Sequence, residues 1–145
     1  VDAMDMAIDQ VLATSGKHLA VPELTIFGYS GGGVIAALLA RRRSDITWLV
    51  TIAAPLDVAG WTQLHGVDAI STGYSTEALG RQLDSISQVH ITGAEDKTVP
   101  PEIVRNFVTE LSGKNASVII ESGFTHYCCW AENWLKFLEY IHPRK

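Results

Sequence analysis

Apolar and polar positions alternate along the chain in a way that predicts strands and helices in turn. Residues 2–15 read as an amphipathic helix, with Met6, Ile8, Val11 and Leu12 on one side and Asp2, Asp5 and Asp9 on the other. Short apolar, β-branched runs follow at 24–29, 48–54, 88–93 and 117–121, each of strand length. Between and after them, helical spacing predicts helices over 31–43, 100–112 and 129–142. The helix at 100–112 opens on Pro100 and Pro101, as a helix start tolerates. The last helix carries the stripe Trp130, Trp134, Phe137, Leu138 and Ile141, which at that spacing is a core face. Strands separated by helices argue for an α/β architecture, a mostly parallel sheet with helices on both faces in three layers. The stretch 56–87 has no clear period. It reads either as a small lid or as an excursion containing a helix at 75–83. No repeat or low-complexity tract divides the chain, so 1–145 reads as one domain.

Chemistry concentrates where predicted strands end. The run Phe27-Gly28-Tyr29-Ser30-Gly31-Gly32-Gly33 follows an apolar strand and precedes Val34, Ile35, Leu38 and Leu39 at helical spacing. A strand, a sharp turn and a helix force the central residue into a strained conformation, and small neighbours at Gly28 and Gly32 keep the backbones from colliding. Ser30 would then project above the sheet as a nucleophile, with the helix N-terminus favouring negative charge. Two other readings exist. Glycines opening a helix also cradle phosphates, but here Val34 and Ile35 stand where a lysine would be needed. The same residues would also serve an inert turn.

A nucleophilic serine needs a base and an orienting acid. Val89-His90-Ile91-Thr92 leads into Gly93-Ala94-Glu95-Asp96-Lys97-Thr98-Val99-Pro100, a strand followed by a loop with two carboxylates. Ser117-Val118-Ile119-Ile120 leads into Glu121-Ser122-Gly123-Phe124-Thr125-His126. Ser30, Asp96 and His126 all fall past the C-terminal ends of strands, which share one edge in a parallel sheet.

These three motifs, in the order serine, acid, histidine, make the chain resemble the α/β-hydrolase family over nearly its whole length. The resemblance implies Ser30 as nucleophile, Asp96 as orienting acid, His126 as general base and the Gly31 amide as one oxyanion donor. It implies cleavage of an ester or related acyl bond of a small molecule through an acyl-enzyme, with no cofactor. Thioesterase, peptidase and acyltransferase chemistry fall within the same frame, and a non-catalytic module of this fold is the alternative outside it. Asp57 is the rival acid, because it follows the apolar run at 48–54, where some members of that family carry theirs. Asp96 could instead cap the helix behind it, and Glu95 beside it points differently. His18, His65, His90 and His142 lack the motif context and read as structural or exposed.

The resemblance also fails in one place. Only 23 residues precede the elbow strand, and they read as a helix. The four strands that the family places first are therefore expected to be missing, with the loop that supplies its second oxyanion amide. The fold is expected to be incomplete at its N-terminus, as the C-terminal portion of a longer hydrolase, with an unpaired apolar edge on the elbow strand.

Composition adds limits. At 145 residues and 47% hydrophobic content there is chain enough for one core, of an ordinary cytoplasmic type. A net charge of −5 gives no electrostatic case for nucleic acid. The one basic run, Arg41-Arg42-Arg43, reads as a solvated helix end, where cations suit the dipole. No stretch is apolar for long enough to form a membrane span, and no signal sequence is visible in these residues. Cys128-Cys129 is one vicinal pair without metal-ligand spacing, and reads as buried core.

Overall fold

A computed structural model describes residues 1–14, 23–70, 73, 75–111 and 115–141. In chain order the elements are α1 (Asp2–Thr14), β1 (Leu24–Tyr29), α2 (Gly31–Ala40), β2 (Ile46–Ile52), α3 (Val58–His65), α4 (Thr76–Leu83), β3 (Ser87–Gly93), α5 (Pro101–Thr109), β4 (Ala116–Glu121) and α6 (Trp134–Ile141). The four strands form one sheet in the order β1-β2-β3-β4, and every pairing is parallel. Parallel neighbours need a crossover, which the helices supply.

The strands are apolar on both faces because both faces are covered. Leu49 packs on one side with Ala36, Ala37 and Leu39 of α2, Leu79 and Leu83 of α4 and Phe107 of α5. Val50, Ile52, Val89 and Ile91 pack on the other with Trp130, Phe137 and Ile141. The result is an α/β/α sandwich with α6 on the second face. Its β1 margin pairs on one side only among the described residues, so the expected open edge is present.

Several element limits differ from the sequence expectation. The strand expected at 48–54 runs two residues earlier, because Ala53 turns to φ 49°. The helix expected at 31–43 stops at Ala40, and the one expected at 129–142 starts only at Trp134. The helix expected at 75–83 is α4, capped by the Ser75 hydroxyl accepting from the Ala78 amide at 3.1 Å. A second helix, α3, also occupies 56–87. His18 and His142 lie outside the described residues.

Two side-chain readings are corrected. Arg43 is not solvated: Nε and Nη2 donate to both Asp45 carboxylate oxygens at 2.9 and 2.6 Å, and Nη1 reaches Asp5 and Asp9 at 2.6 and 2.7 Å. Arg42 reaches Asp2 at 2.6 Å. The carboxylate stripe of α1, spaced three and four residues apart, thus docks that helix against the end of α2. Cys128 and Cys129 are not core either. They are joined to each other in a vicinal disulfide, Cys128 exposed and Cys129 half-buried, where the chain turns outward after His126.

Candidate active site

Ser30 sits between β1 and α2 with φ 51° and ψ −129°, a strained conformation for a residue with a side chain. Its amide still donates to the Ile52 carbonyl at 2.8 Å, so the sheet ladder holds the turn from below. A Cβ at Gly28 would lie 2.5 Å from the Gly32 carbonyl oxygen and from the Gly33 Cα. Gly28 is thus required, as the motif suggested. The second small position is different: a Cβ at Gly32 would meet nothing, whereas one at Gly33 would collide with Ala54. The close approach of α2 to the sheet therefore falls one residue later than the sequence pattern placed it. Gly31 opens α2, and first-turn amides have no acceptor within the helix.

The three candidate residues meet. Ser30 Oγ lies 3.1 Å from His126 Nε2, and His126 Nδ1 lies 2.9 Å from Asp96 Oδ2. The Asp96 side chain is 0% exposed and that of His126 7%. The other carboxylate oxygen, Oδ1, accepts from the Thr98 and Val99 amides, both at 2.8 Å. A buried carboxylate held this way is an acceptor only, so Nδ1 of the imidazole carries the proton and Nε2 faces the serine with a lone pair.

Loop approach makes this meeting feasible. A Cβ at Gly93 would collide with the Phe124 carbonyl. Without one, the Ala94 amide donates to Glu121 and the Glu95 amide to Phe124, at 2.9 and 3.0 Å, lacing the acid loop to the histidine loop. The rivals are occupied elsewhere. Asp57 caps α3, accepting from the Gly60 amide at 3.0 Å and the Thr76 hydroxyl at 3.1 Å. Glu95 is exposed. His65 lies within 2.8 Å of the Thr98 carbonyl, which also accepts from Trp61 Nε1 at 2.7 Å, so α3 braces the acid loop from outside.

Two residues outside the expected set touch the site. The Tyr29 hydroxyl and Trp130 Nε1 both donate to the His126 carbonyl, at 2.6 and 2.9 Å. The sequence reading gives Tyr29 no role beyond its place in the motif and gives Trp130 a place in the core stripe, and no sequence period relates positions so far apart. A cleft of about 970 Å³ opens beside Asp96 and His126, walled by Leu64, His65, Pro101 and Tyr127. An apolar recess of about 440 Å³ lies between Tyr29, Ile52, Trp130 and Trp134. Among the described residues no cluster of three or more His, Cys, Asp or Glu side chains is placed to hold a metal ion. No described helix is long and apolar enough to cross a membrane.

A parallel sheet with a strained serine at a strand–helix turn, an acid and a histidine at the ends of later strands, and helices on both faces is the α/β-hydrolase fold. No protein-family model matches the chain, and no curated protein matches it. Solved structures do. A cold-adapted esterase from an Arctic intertidal metagenomic library superposes with a TM-score of 0.69 at 14% identity, over 96% of this chain and 52% of that one. An α/β serine hydrolase homologue from Coxiella burnetii gives 0.62 at 20% identity, over 92% and 54%. A monoacylglycerol lipase from Paleococcus ferrophilus gives 0.63 at 16% identity, over 97% and 74%. The chain spans about half the length of the first two. At these identities the likeness is one of fold.

Proposed function

We propose that the protein is a serine hydrolase that cleaves an ester or related acyl bond of a small molecule, with Ser30, His126 and Asp96 as its triad. The observation that carries this reading is the unbroken chain from Ser30 Oγ through His126 to a fully buried Asp96. It supports acyl transfer because each link matches a role. His126 Nε2 takes the proton as Ser30 Oγ bonds to the acyl carbon, and the carbonyl electron pair moves onto oxygen. The Gly31 amide is one donor to that oxyanion, at the positive end of α2. Asp96 holds the imidazole in its tautomer and balances the imidazolium. As the acyl–leaving-group bond breaks, the proton passes to the leaving oxygen, releasing an alcohol. Water then attacks the acyl-enzyme, giving its proton to His126, and Ser30 Oγ recovers one as the acid departs.

The names of the esterase and the lipase that share this fold support the acyl-ester class. The test is intact mass after treatment with a fluorophosphonate probe. One covalent adduct on the protein, absent from Ser30→Ala, is the expected result; a folded protein that takes none overturns the reading.

A further inference from the structure

His126 is held at four points. Its ring nitrogens face Ser30 and Asp96, and its own carbonyl oxygen accepts two side-chain donors, the Tyr29 hydroxyl at 2.6 Å and Trp130 Nε1 at 2.9 Å. A carbonyl has two lone pairs, so this one is filled. We infer that Tyr29 and Trp130 are positioning residues that fix the peptide plane of His126, with Tyr29 tying it to the nucleophile turn itself.

Tyr29 is the last residue of β1 and is bonded covalently to Ser30. Its backbone is set by the same ladder that holds the serine, so a bond from its hydroxyl to His126 measures the base directly against the nucleophile. The Tyr29 ring also packs on the imidazole, centroids 5.4 Å apart and tilted 38°. Trp130 is buried, packed against Phe124 and Phe137 at 4.9 and 5.8 Å between ring centroids, and reaches back four residues to the same oxygen. One donor therefore comes from the nucleophile side and the other from the core beneath the histidine loop. Other bonds hold the loop on either side, the Glu95 amide on the Phe124 carbonyl and the Cys128 amide on the Thr125 hydroxyl, but these two side chains are the ones that reach the His126 carbonyl itself. The two donors decide the direction of the His126 Cα–Cβ bond, and with it the 3.1 Å approach of Nε2 to Ser30. Tyr29 stays a donor over the working range, since burial, with the nearby Asp96 charge, pushes its phenol above the ordinary value.

The inference rests on the hydrolase reading for its kinetic readout, and a second readout separates the two. The rate of fluorophosphonate adduct formation is measured in the wild-type protein, Tyr29→Phe, Trp130→Phe and Trp48→Phe. The proton NMR signal of His126 Nδ1–H is recorded in each. Tyr29→Phe keeps the ring and removes only the donor. It is expected to label roughly tenfold more slowly, as fits the loss of one positioning hydrogen bond. Its Nδ1–H signal should broaden through faster solvent exchange. Trp130→Phe should behave alike, and Trp48→Phe, at the opposite end of the sheet from Ser30, should match wild type. Wild-type labelling with a sharp signal in Tyr29→Phe overturns the inference. Absence of any adduct in the wild type would sink the hydrolase reading alone. The NMR signal then decides: broadened in Tyr29→Phe it supports the positioning role, unchanged it ends it.

Discussion

The sheet holds two hydroxyl–imidazole–acceptor chains, and they behave as opposites. At the strand ends, Ser30, His126 and Asp96 are joined at 3.1 and 2.9 Å. In the middle of the sheet, Thr51 Oγ1 lies 2.8 Å from His90 Nδ1, and His90 Nε2 lies 3.3 Å from Gln88 Oε1. Because Gln88 Nε2 donates to the Leu83 carbonyl, its Oε1 is an acceptor. His90 therefore carries its proton on Nε2 and accepts from Thr51, the reverse of His126. The third member differs in charge: Gln88 is neutral where Asp96 is a carboxylate. His90 is 0% exposed, and burial pushes its pKa down to about 3. An imidazolium there has no counter-charge. At His126 it has one, with an open cleft alongside. A hydroxyl beside a histidine can thus be packing alone; on the proposed triad reading, the carboxylate partner at the sheet edge is what sets His126 apart from His90.

That contrast can be broken at each link. Removing the reacting atoms should cost most: Ser30→Ala and His126→Ala should each lower turnover of a p-nitrophenyl ester by roughly a thousandfold or more, read in initial rates. Asp96→Asn turns the acid into an amide like Gln88. It should lose on the order of a thousandfold, with residual labelling recovering as pH rises. His90 should matter to stability instead. Between pH 6.5 and about 3 the unfolded chain binds a proton that the folded one excludes, so stability falls as pH falls through that window. The loss is on the order of 3 kcal/mol by pH 4. His90→Gln should flatten the slope of melting temperature against pH over that range, while leaving the rate at pH 8 unchanged. A slope as steep as wild type would place acid lability elsewhere. The smallest effect belongs to Asp57→Asn, which trims a helix cap and should leave ester turnover within about threefold. A defect as deep as that of Asp96→Asn would reassign the acid.

Much of this was legible along the chain, and the limits have physical causes. The strands showed because a doubly covered sheet needs continuous apolar runs, as in Trp48, Leu49 and Val50. Ser30, Asp96 and His126 showed because each sits in a local motif whose neighbours serve the same turn. What stayed hidden depends on distant contact. The collision that makes Gly33 necessary is with Ala54, and the one that makes Gly93 necessary is with Phe124. Arg43 reads as solvated because two of its three carboxylates, Asp9 and Asp5, are 34 and 38 residues away, and the third, Asp45, is presented to it by the turn after α2. α6 starts later than its apolar stripe suggests because that stripe includes Trp130, which is buried from a turn; Asn133 Nδ2 donates to the Cys129 carbonyl at 2.8 Å and completes that turn before the helix begins. In α3 a glycine at position 60 blurs the helical signal, and only the Asp57 cap marks its start.

Sheet order and chain order coincide, β1 to β4, and this has a kinetic meaning. Each of these strands pairs with its neighbour in sequence, so Ser30 and His126 lie at opposite margins of the described sheet, past the ends of β1 and β4. The elbow can form once β1, α2 and β2 have met, but His126 arrives only after β4 has docked against β3. Closing those loops is slow relative to forming any one helix. On the proposed triad reading, Ser30 is an ordinary alcohol until its contact with His126 forms. If Ser30 is the nucleophile proposed, fluorophosphonate labelling during refolding should begin only once β4 has paired with β3, and so would time that pairing.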